Sequence, residues 1–231
     1  MPVHNPFPCR LFLFDLDGTL IDSKADIAHA LNLALIRMDF PPLPMSKVGD
    51  FVGEGVQKLV QRTLREVGGG EPDSEQVRIA INLYQREYEA HLLDSTRLYD
   101  GVREALDRLY WASFAVVTNK PEHFSRRILE GLGVGDRFCA ILGGDSIPQR
   151  KPDPAPLLKA MAQCGAVPSE TVMVGDSAVD VCAGKAAGVF TCGITGGFRC
   201  REELEAAGCD LIVSSLTELA DHFCPPKDSR Q

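Results

Sequence analysis

The stretch at residues 11–20, Leu-Phe-Leu-Phe-Asp-Leu-Asp-Gly-Thr-Leu, constrains the fold of this chain more than any other. Four consecutive apolar residues are too few for a helix and are typical of a parallel strand that is buried on both faces. The strand ends in Asp15 and Asp17, which an extended backbone places on the same side. Because open α/β sheets bind ligands at the carboxyl ends of their strands, the stretch predicts a site there. Two close carboxylates repel each other unless a cation such as Mg²⁺ lies beside them.

The length, composition and charge of the chain limit its partners. The 231 residues are 45% hydrophobic and 24% charged, which allows one large domain or one domain with an insertion. The net charge of −8 argues against binding to nucleic acid or to an anionic membrane surface. No apolar run approaches the roughly 20 residues of a membrane span. We therefore expect a monomer or homodimer that has neither nucleic acid nor membrane as a partner.

The eight cysteines of the chain form no Cys-x-x-Cys pair, which argues against a zinc site. The first ten residues contain no long apolar core and do not read as a secretion signal. These features together predict a cytoplasmic protein in a reducing compartment, with cysteines that are mostly buried thiols.

The apolar pattern divides the chain into two parts. In residues 21–97 apolar side chains recur at helical spacing, with Ser23 as an N-cap, a flexible loop at 49–55 and no strand. From residue 98 onward, short apolar strands alternate with helices, which is typical of a parallel sheet covered on both faces. The predicted fold class is α/β: a doubly wound parallel sheet formed by residues 1–20 and 98–231, with an all-helical cap domain inserted at residues 21–97.

The carboxyl ends of the predicted strands carry most of the polar side chains that suit chemistry. The strands are predicted at residues 11–14, 114–117, 140–142, 171–174, 189–192 and 211–213. The residues that follow several of these strands or lie nearby in the sequence are Asp15, Asp17, Thr118, Asn119, Lys120, Lys151, Asp176, Ser177 and Asp180. Such a set suits phosphoryl transfer, because a carboxylate can attack phosphorus while a metal, a hydroxyl and an ammonium hold its oxygens.

Four ordered motifs resemble those of the haloacid dehalogenase-like hydrolases, and the resemblance covers nearly the whole chain. The motifs are Phe-Asp-Leu-Asp-Gly-Thr-Leu at 14–20, Val-Thr-Asn-Lys at 117–120, Lys-Pro-Asp-Pro at 151–154 and Gly-Asp-Ser-Ala-Val-Asp at 175–180. The resemblance implies a Rossmann-like core, a mobile helical cap and Mg²⁺ as the cofactor. It also implies an aspartyl-phosphate intermediate.

The resemblance assigns roles to the first and third motifs. Asp15 would be the nucleophile, and Asp17 the general acid and base, with Thr19 orienting the Asp17 carboxylate. Lys151 would steady the charge of the nucleophile and of the phosphate.

The second and fourth motifs would hold the phosphate and the metal. Thr118 and the backbone N–H of Asn119 would bind phosphate, although both residues also suit the cap of the next helix. The metal ligands would be Asp15, Asp176 and the backbone carbonyl of Asp17. Asp180 would support the metal's waters or Lys151, or simply favour the start of its helix. Ser177 would serve either as a helix cap or as a hydroxyl in the pocket.

The cap would select the substrate. The loop Gly53-Glu54-Gly55 is the part expected to reach the site, and with its flanks it resembles phosphoglycolate phosphatases. Arg62 is a candidate for contacting a substrate carboxylate, as are Lys47 and Lys58, although each also suits a solvated helix face. Glu54 argues mildly against an additional anion near the loop. The glycine-rich loop at 193–197 lacks a Gly-Lys-Ser/Thr ending and is interpreted as a plain turn.

These observations predict a magnesium-dependent phosphatase that acts on a small phosphorylated metabolite, with 2-phosphoglycolate as the preferred candidate. A β-phosphoglucomutase-like activity and a broad sugar-phosphate phosphatase are the alternatives within the same chemistry. A dehalogenase is disfavoured because it needs neither Asp17 nor a metal. A phospho-accepting receiver domain is disfavoured because it would be about half as long and would have no cap.

Overall fold

The computed structural model describes residues 7–226, in which ten strands and ten α-helices are formed. The strands are β1 Phe7–Pro8, β2 Leu11–Phe14, β3 Ile21–Asp22, β4 Arg97–Leu98, β5 Ser113–Val117, β6 Ala140–Leu142, β7 Thr171–Gly175, β8 Phe190–Ile194, β9 Leu211–Val213 and β10 Phe223–Cys224. The helices are α1 Lys24–Ile36, α2 Met45–Phe51, α3 Val56–Gly68, α4 Ser74–Ala90, α5 Val102–Arg108, α6 Glu122–Gly131, α7 Ala155–Cys164, α8 Ala178–Ala187, α9 Arg201–Ala206 and α10 Leu216–Leu219. The prediction about a secretion signal falls largely on residues outside this range.

A six-stranded parallel sheet in the order β6-β5-β2-β7-β8-β9 forms the core. Strand β2 lies between β5 and β7, so the carboxylates at its end lie in the middle of the sheet edge. Its side chains alternate between two apolar clusters: Leu11 and Leu13 pack with α7 and α8, while Phe12 and Phe14 pack on the opposite face. This two-sided burial is the reason for the unbroken apolar run, and it confirms the predicted doubly wound α/β fold.

The inserted segment contains helices α1 to α4, and α1 packs lengthwise on α4. Two details differ from the prediction. The antiparallel ribbon of β3 and β4 closes the base of the insertion, where no strand was expected. Helix α2 extends to Phe51 and so covers the first three residues of the region predicted to be a flexible loop at 49–55. Both elements are short, and contacts distant in the sequence stabilise them, so periodicity alone does not reveal them.

Buried Asp26 on α1 fastens the returning end of the cap. Its carboxylate accepts hydrogen bonds from the backbone N–H groups of Ser95 and Thr96 at 2.8–3.0 Å and from the Thr96 hydroxyl at 2.7 Å. Charge-assisted bonds of this kind are about twice as strong as neutral ones. The start and the end of the insertion are therefore held together beside the sheet.

The cysteines differ from the sequence-based expectation. Cys139, just before β6, forms a disulfide with Cys164 at the end of α7. Of the free cysteines, Cys9 and Cys192 are buried, whereas Cys182 and Cys200 are exposed. The prediction of mostly buried thiols is therefore wrong, because the packing of α7 brings together two cysteines that are 25 residues apart. Among the described residues, no helix is both long enough and apolar enough to span a membrane.

Candidate active site

The predicted catalytic residues meet at the carboxyl edge of the sheet. Asp15 and Asp17 follow β2, Thr118 follows β5, and Asp176 follows β7. All four side chains are buried, with Asp176 only 3% exposed. A cluster of carboxylates this deep is costly unless cations neutralise it. The structure thus brings the first, second and fourth motifs together as the sequence predicts.

Lys151 joins this cluster as the cation beside Asp15. Its Nζ lies 2.9 Å from an Asp15 oxygen and 2.6 Å from an Asp180 oxygen. Burial alone would lower the pKa of Lys151, but the charges of Asp15 and Asp180 outweigh it and leave this pKa above its ordinary value. Lys151 therefore stays charged at the carboxylate that is expected to attack.

Asp180 is held so that it can position Lys151. The hydroxyl and the backbone N–H of Ser177 donate to one Asp180 oxygen at 2.7 and 3.2 Å, which leaves the other oxygen to Lys151. Burial raises the pKa of Asp180, and Lys151 counteracts part of that rise. Ser177 lies at the start of α8, its hydroxyl donates to Asp180, and it is not among the residues that line the cavity between cap and core, so a role as a pocket hydroxyl stays a prediction.

The carboxylates fit a divalent cation. One oxygen from each of Asp15, Asp176 and Asp180 lies within 4.8 Å of the others. Burial, followed by the charges of Asp180 and Asp15, raises the pKa of Asp176 to about 8. Lys151 alone does not balance three carboxylates, and oxygen-rich clusters with excess negative charge suit Mg²⁺. The side chain of Asp17 points elsewhere, and ligation through its backbone carbonyl stays a prediction.

The glycine-rich loop after β8 forms a wall of this cluster. A Cβ atom on Gly197 would lie 2.5 Å from an Asp176 oxygen, and one on Gly18, where φ is +88°, would lie 2.3 Å from it. The backbone N–H of Phe198 donates to the same carboxylate at 2.6 Å. The loop is therefore more than the plain turn that was predicted. Its role depends on an approach to Asp176 that the sequence does not show.

Asp17 is oriented by residues that the sequence analysis did not assign to it. The Ser23 hydroxyl donates to one Asp17 oxygen, and the ammonium of Lys120 lies 2.9 and 3.1 Å from the two oxygens. The hydroxyl of Thr19 is buried and has no hydrogen-bond partner among the described residues. The expected role of Thr19 is thus wrong, because the turn at Gly18 brings Ser23 over Asp17 instead. Ser23 precedes α1, but its side chain does not cap that helix.

Asn119 connects the cap to the core. Its side-chain amide donates to the backbone oxygens of Gly53 and Lys151, each at 2.9 Å. The buried hydroxyl of Thr118 accepts a hydrogen bond from the backbone N–H of Lys120 at 3.3 Å, and Thr118 lines a cavity between the cap and the core. The cap loop therefore contacts the second motif through the side chain of Asn119, a contact that the sequence does not reveal.

The cap and the core enclose a small cavity of about 40 Å³. Gly53 and Gly55 line it beside Asp15, as the sequence predicts for this loop. Arg62 instead forms an ion pair with Glu54 and is not among the residues that line the cavity. A role for this pair in choosing the substrate stays a prediction.

The raised pKa of Asp176 predicts how pH and metal act on stability. Between its ordinary value near 3.8 and about 8, the folded protein holds a proton that the unfolded chain has released. Without metal, the free energy of unfolding should fall as pH rises through this window, by about 1.4 kcal/mol per pH unit from this group. Since Mg²⁺ needs the ionised carboxylate, its stabilising effect should grow over the same window. Urea unfolding with EDTA or Mg²⁺ measures both trends.

The variant Asp176→Asn is the control for this experiment. The amide imitates the protonated carboxyl, so the variant should lose this component of the slope and most of the stabilisation by Mg²⁺. A wild-type protein whose metal-free stability rises with pH through the window would contradict the assignment.

The fold and the site together define a protein with a parallel-sheet α/β core, a helical cap and a buried carboxylate cluster that fits a divalent cation. The family model described as haloacid dehalogenase-like hydrolase matches residues 12–194. The chain belongs to this family. The family match contradicts the alternative of a phospho-accepting receiver domain. The helical cap formed by α1 to α4 also argues against a receiver domain, which was expected to have no cap.

Similar proteins come from several bacteria. A phosphoglycolate phosphatase of Nitrosospira multiformis is 40% identical over 94% of this chain and 96% of its own length. A phosphoglycolate phosphatase of Pseudomonas putida is 41% identical over 94% of this chain and 80% of its own length. The crystal structure of a predicted phosphoglycolate phosphatase from Haemophilus somnus aligns with a TM-score of 0.84 and 30% identity, covering 91% of this chain and 96% of that one.

Proposed function

We propose that this protein is a Mg²⁺-dependent phosphatase that hydrolyses 2-phosphoglycolate to glycolate and orthophosphate. The observation that carries the proposal is the pairing of Asp15 with Lys151, while Asp15 and a second carboxylate, Asp17, line a small cavity between cap and core. The names of the relatives with about 40% identity support the same substrate.

The reaction would begin at Asp15. One of its oxygens forms a bond to phosphorus while the bond from phosphorus to the glycolate oxygen breaks, which leaves an aspartyl-phosphate. Asp17, in its protonated form, gives its proton to the departing oxygen. The Asp17 carboxylate then takes a proton from water, and this water attacks phosphorus and restores Asp15.

The remaining residues neutralise charge and position the reacting groups. Lys151 neutralises Asp15 and the phosphate oxygens, and Asp180 keeps the ammonium in place. Thr118 is placed to donate its hydroxyl hydrogen to a phosphate oxygen. Asp15, Asp176 and the backbone carbonyl of Asp17 would hold Mg²⁺, which when bound offsets the negative charge of the transferring phosphoryl group.

The docked cap supplies the enclosure that this reaction needs. The bond from Asn119 to the Gly53 carbonyl seals the cap loop against the core, which excludes bulk water from the phosphoenzyme. The cavity is small and lined by Val52, Val56 and Leu59 on the cap side. This size favours a short substrate over a hexose phosphate.

Orthophosphate release from a panel of phosphate esters tests the proposal. With Mg²⁺, we expect 2-phosphoglycolate to give the highest kcat/KM, and EDTA to abolish the activity. Turnover restricted to sugar phosphates or nucleotides would overturn the substrate assignment. An isomerised sugar phosphate formed without free orthophosphate would instead identify a mutase.

A further inference from the structure

Lys120 is the only cationic side chain, among the described residues, that lines the cavity between cap and core. It follows Asn119 in the second motif, and only 7% of its surface is exposed. Its ammonium forms an ion pair with Asp17. Lys151 forms ion pairs with two carboxylates, Asp15 and Asp180, and is not among the residues that line the cavity. The cation that a substrate meets in the cavity, beyond its phosphate end, is therefore Lys120.

Tyr88 on cap helix α4 lies directly against this ammonium. The Lys120 Nζ is 4.5 Å from the centre of the Tyr88 ring, and Tyr84 stacks on the same ring at 5.4 Å between centroids. Tyr88 is 1% exposed and lines the cavity, yet its hydroxyl has no hydrogen-bond partner among the described residues. An unpaired buried hydroxyl costs about 1–3 kcal/mol, so a ligand oxygen that accepts its proton is favoured there.

We propose that Lys120 and the hydroxyl of Tyr88 form a second anion-binding subsite, which holds the carboxylate of the substrate. The inference deepens the proposed function and rests on it, because that carboxylate is the part of 2-phosphoglycolate remote from the reacting phosphorus. It assigns the recognition of this group to a core lysine and a cap tyrosine. The sequence analysis had offered Lys47, Lys58 and Arg62 for this role.

The positions of the other cap cations support this assignment. Lys47 and Arg62 form ion pairs with Glu66 and Glu54, and Lys58 is exposed on α3. A carboxylate in the cavity would compete with Asp17 for the Lys120 ammonium, and it would gain a charge-assisted bond in a region shielded from water. A substrate without a negative charge at this end would neither compete with Asp17 for the Lys120 ammonium nor form the charge-assisted bond. The subsite therefore discriminates by charge, and it requires the cap to be closed because Tyr88 belongs to the cap.

The test compares two esters of similar length, 2-phosphoglycolate and 2-hydroxyethyl phosphate, whose tails differ in charge. For the wild-type enzyme with Mg²⁺, we expect kcat/KM to favour 2-phosphoglycolate by about 30-fold or more. Lys120→Met should bring this ratio close to one. Tyr88→Phe, which removes only the unpaired hydroxyl, should lower the ratio about fivefold without loss of thermal stability. Lys58→Met and Tyr110→Phe, at exposed positions, are the matched controls and should leave the ratio unchanged.

The ratio separates this role from a structural one. If Lys120 serves only to hold Asp17, its loss lowers the turnover of both esters equally and the ratio stays at the wild-type value, which overturns the subsite. An unchanged ratio of kcat/KM values in Tyr88→Phe would show that the tyrosine does not belong to the subsite.

Calorimetric titration with glycolate tests the subsite without turnover. We expect its affinity to fall about tenfold or more in Lys120→Met and by a smaller factor in Tyr88→Phe. If the wild-type enzyme hydrolyses neither ester, the proposed function fails, and this titration alone decides the subsite. Equal glycolate affinity in the wild type and both variants, or no binding at all, would overturn the inference.

Discussion

Replacing Asp15 with asparagine is expected to abolish phosphatase activity while the fold is retained. An amide is a poor nucleophile toward phosphorus, so the aspartyl-phosphate cannot form. Loss of a covalent nucleophile lowers kcat by roughly 10⁴-fold or more. The two side chains are nearly the same size, and the substitution removes one of the mutually repelling charges around Asp176 and Asp180. Single-turnover phosphate release and thermal unfolding measure the two effects separately.

The control for this prediction is Asp136→Asn, which makes the same chemical change at an exposed position. We expect it to leave both activity and stability unchanged. Normal hydrolysis by Asp15→Asn would show that another group attacks phosphorus. A variant that is inactive because it has unfolded would be recognised by its lost thermal transition, and Asp15→Glu would then test the geometry of attack.

Replacing Lys151 with methionine is expected to have the largest effect on stability, together with a large loss of activity. Lys151 is only 4% exposed, and its ammonium contacts both Asp15 and Asp180. Its loss therefore leaves buried carboxylates without their cation. Breaking a buried pair by removing one partner costs about 3–5 kcal/mol. Loss of a donor to the phosphate should lower kcat about 10²–10³-fold. Urea unfolding and steady-state kinetics measure these changes.

Lys58→Met is the matched control, because that lysine is exposed on α3. Its free energy of unfolding should stay within about 0.5 kcal/mol of the wild type. The cost of Lys151→Met should also be smaller at low pH, where protonation removes the charge of the carboxylates that it leaves behind. Equal stability of the wild type and Lys151→Met at neutral pH would contradict the buried ion pairs.

The strands of the core could be predicted because their signal is local. The apolar run of β2 and the strand–helix alternation after residue 98 reflect burial on both faces of a parallel sheet, and the predicted strands all occur in the structure. The glycines after the helices are an equally local signal: Gly165 and Gly188 adopt positive φ directly after α7 and α8, a conformation that favours glycine.

The partners of the catalytic side chains could be predicted only in part. Asp15, Lys151 and Asp180 meet as the motifs imply: Asp15 directly follows β2, Lys151 lies between β6 and α7, and Asp180 lies in the first turn of α8 after β7. Thr19 and Ser23 both differ from their expected roles: the Ser23 hydroxyl donates to Asp17 instead of capping α1, and the Thr19 hydroxyl has no hydrogen-bond partner among the described residues. The ribbon of β3 and β4 escaped prediction because two-residue strands have no periodicity.

The environment of Lys120 could not be predicted from the sequence. It belongs to a recognised motif, yet a lysine on its own is most often a surface residue, and only the cap brings Tyr88 against it. The disulfide between Cys139 and Cys164 and the contact of Gly197 with Asp176 have the same origin. Each joins segments whose approach depends on how separate elements pack.

The strand that ends in Asp15 and Asp17 was determined by the sequence alone, because an apolar run followed by two carboxylates has few places in an α/β fold. The sequence likewise determined the helical insertion after it and the four motifs at the sheet edge. The tertiary structure decided the contacts that no motif assigned: Lys120 pairs with Asp17, and Tyr88 of the cap lies against Lys120. The reason is physical, since secondary structure follows from contacts between near neighbours, whereas the charge balance of a buried site depends on side chains from distant segments.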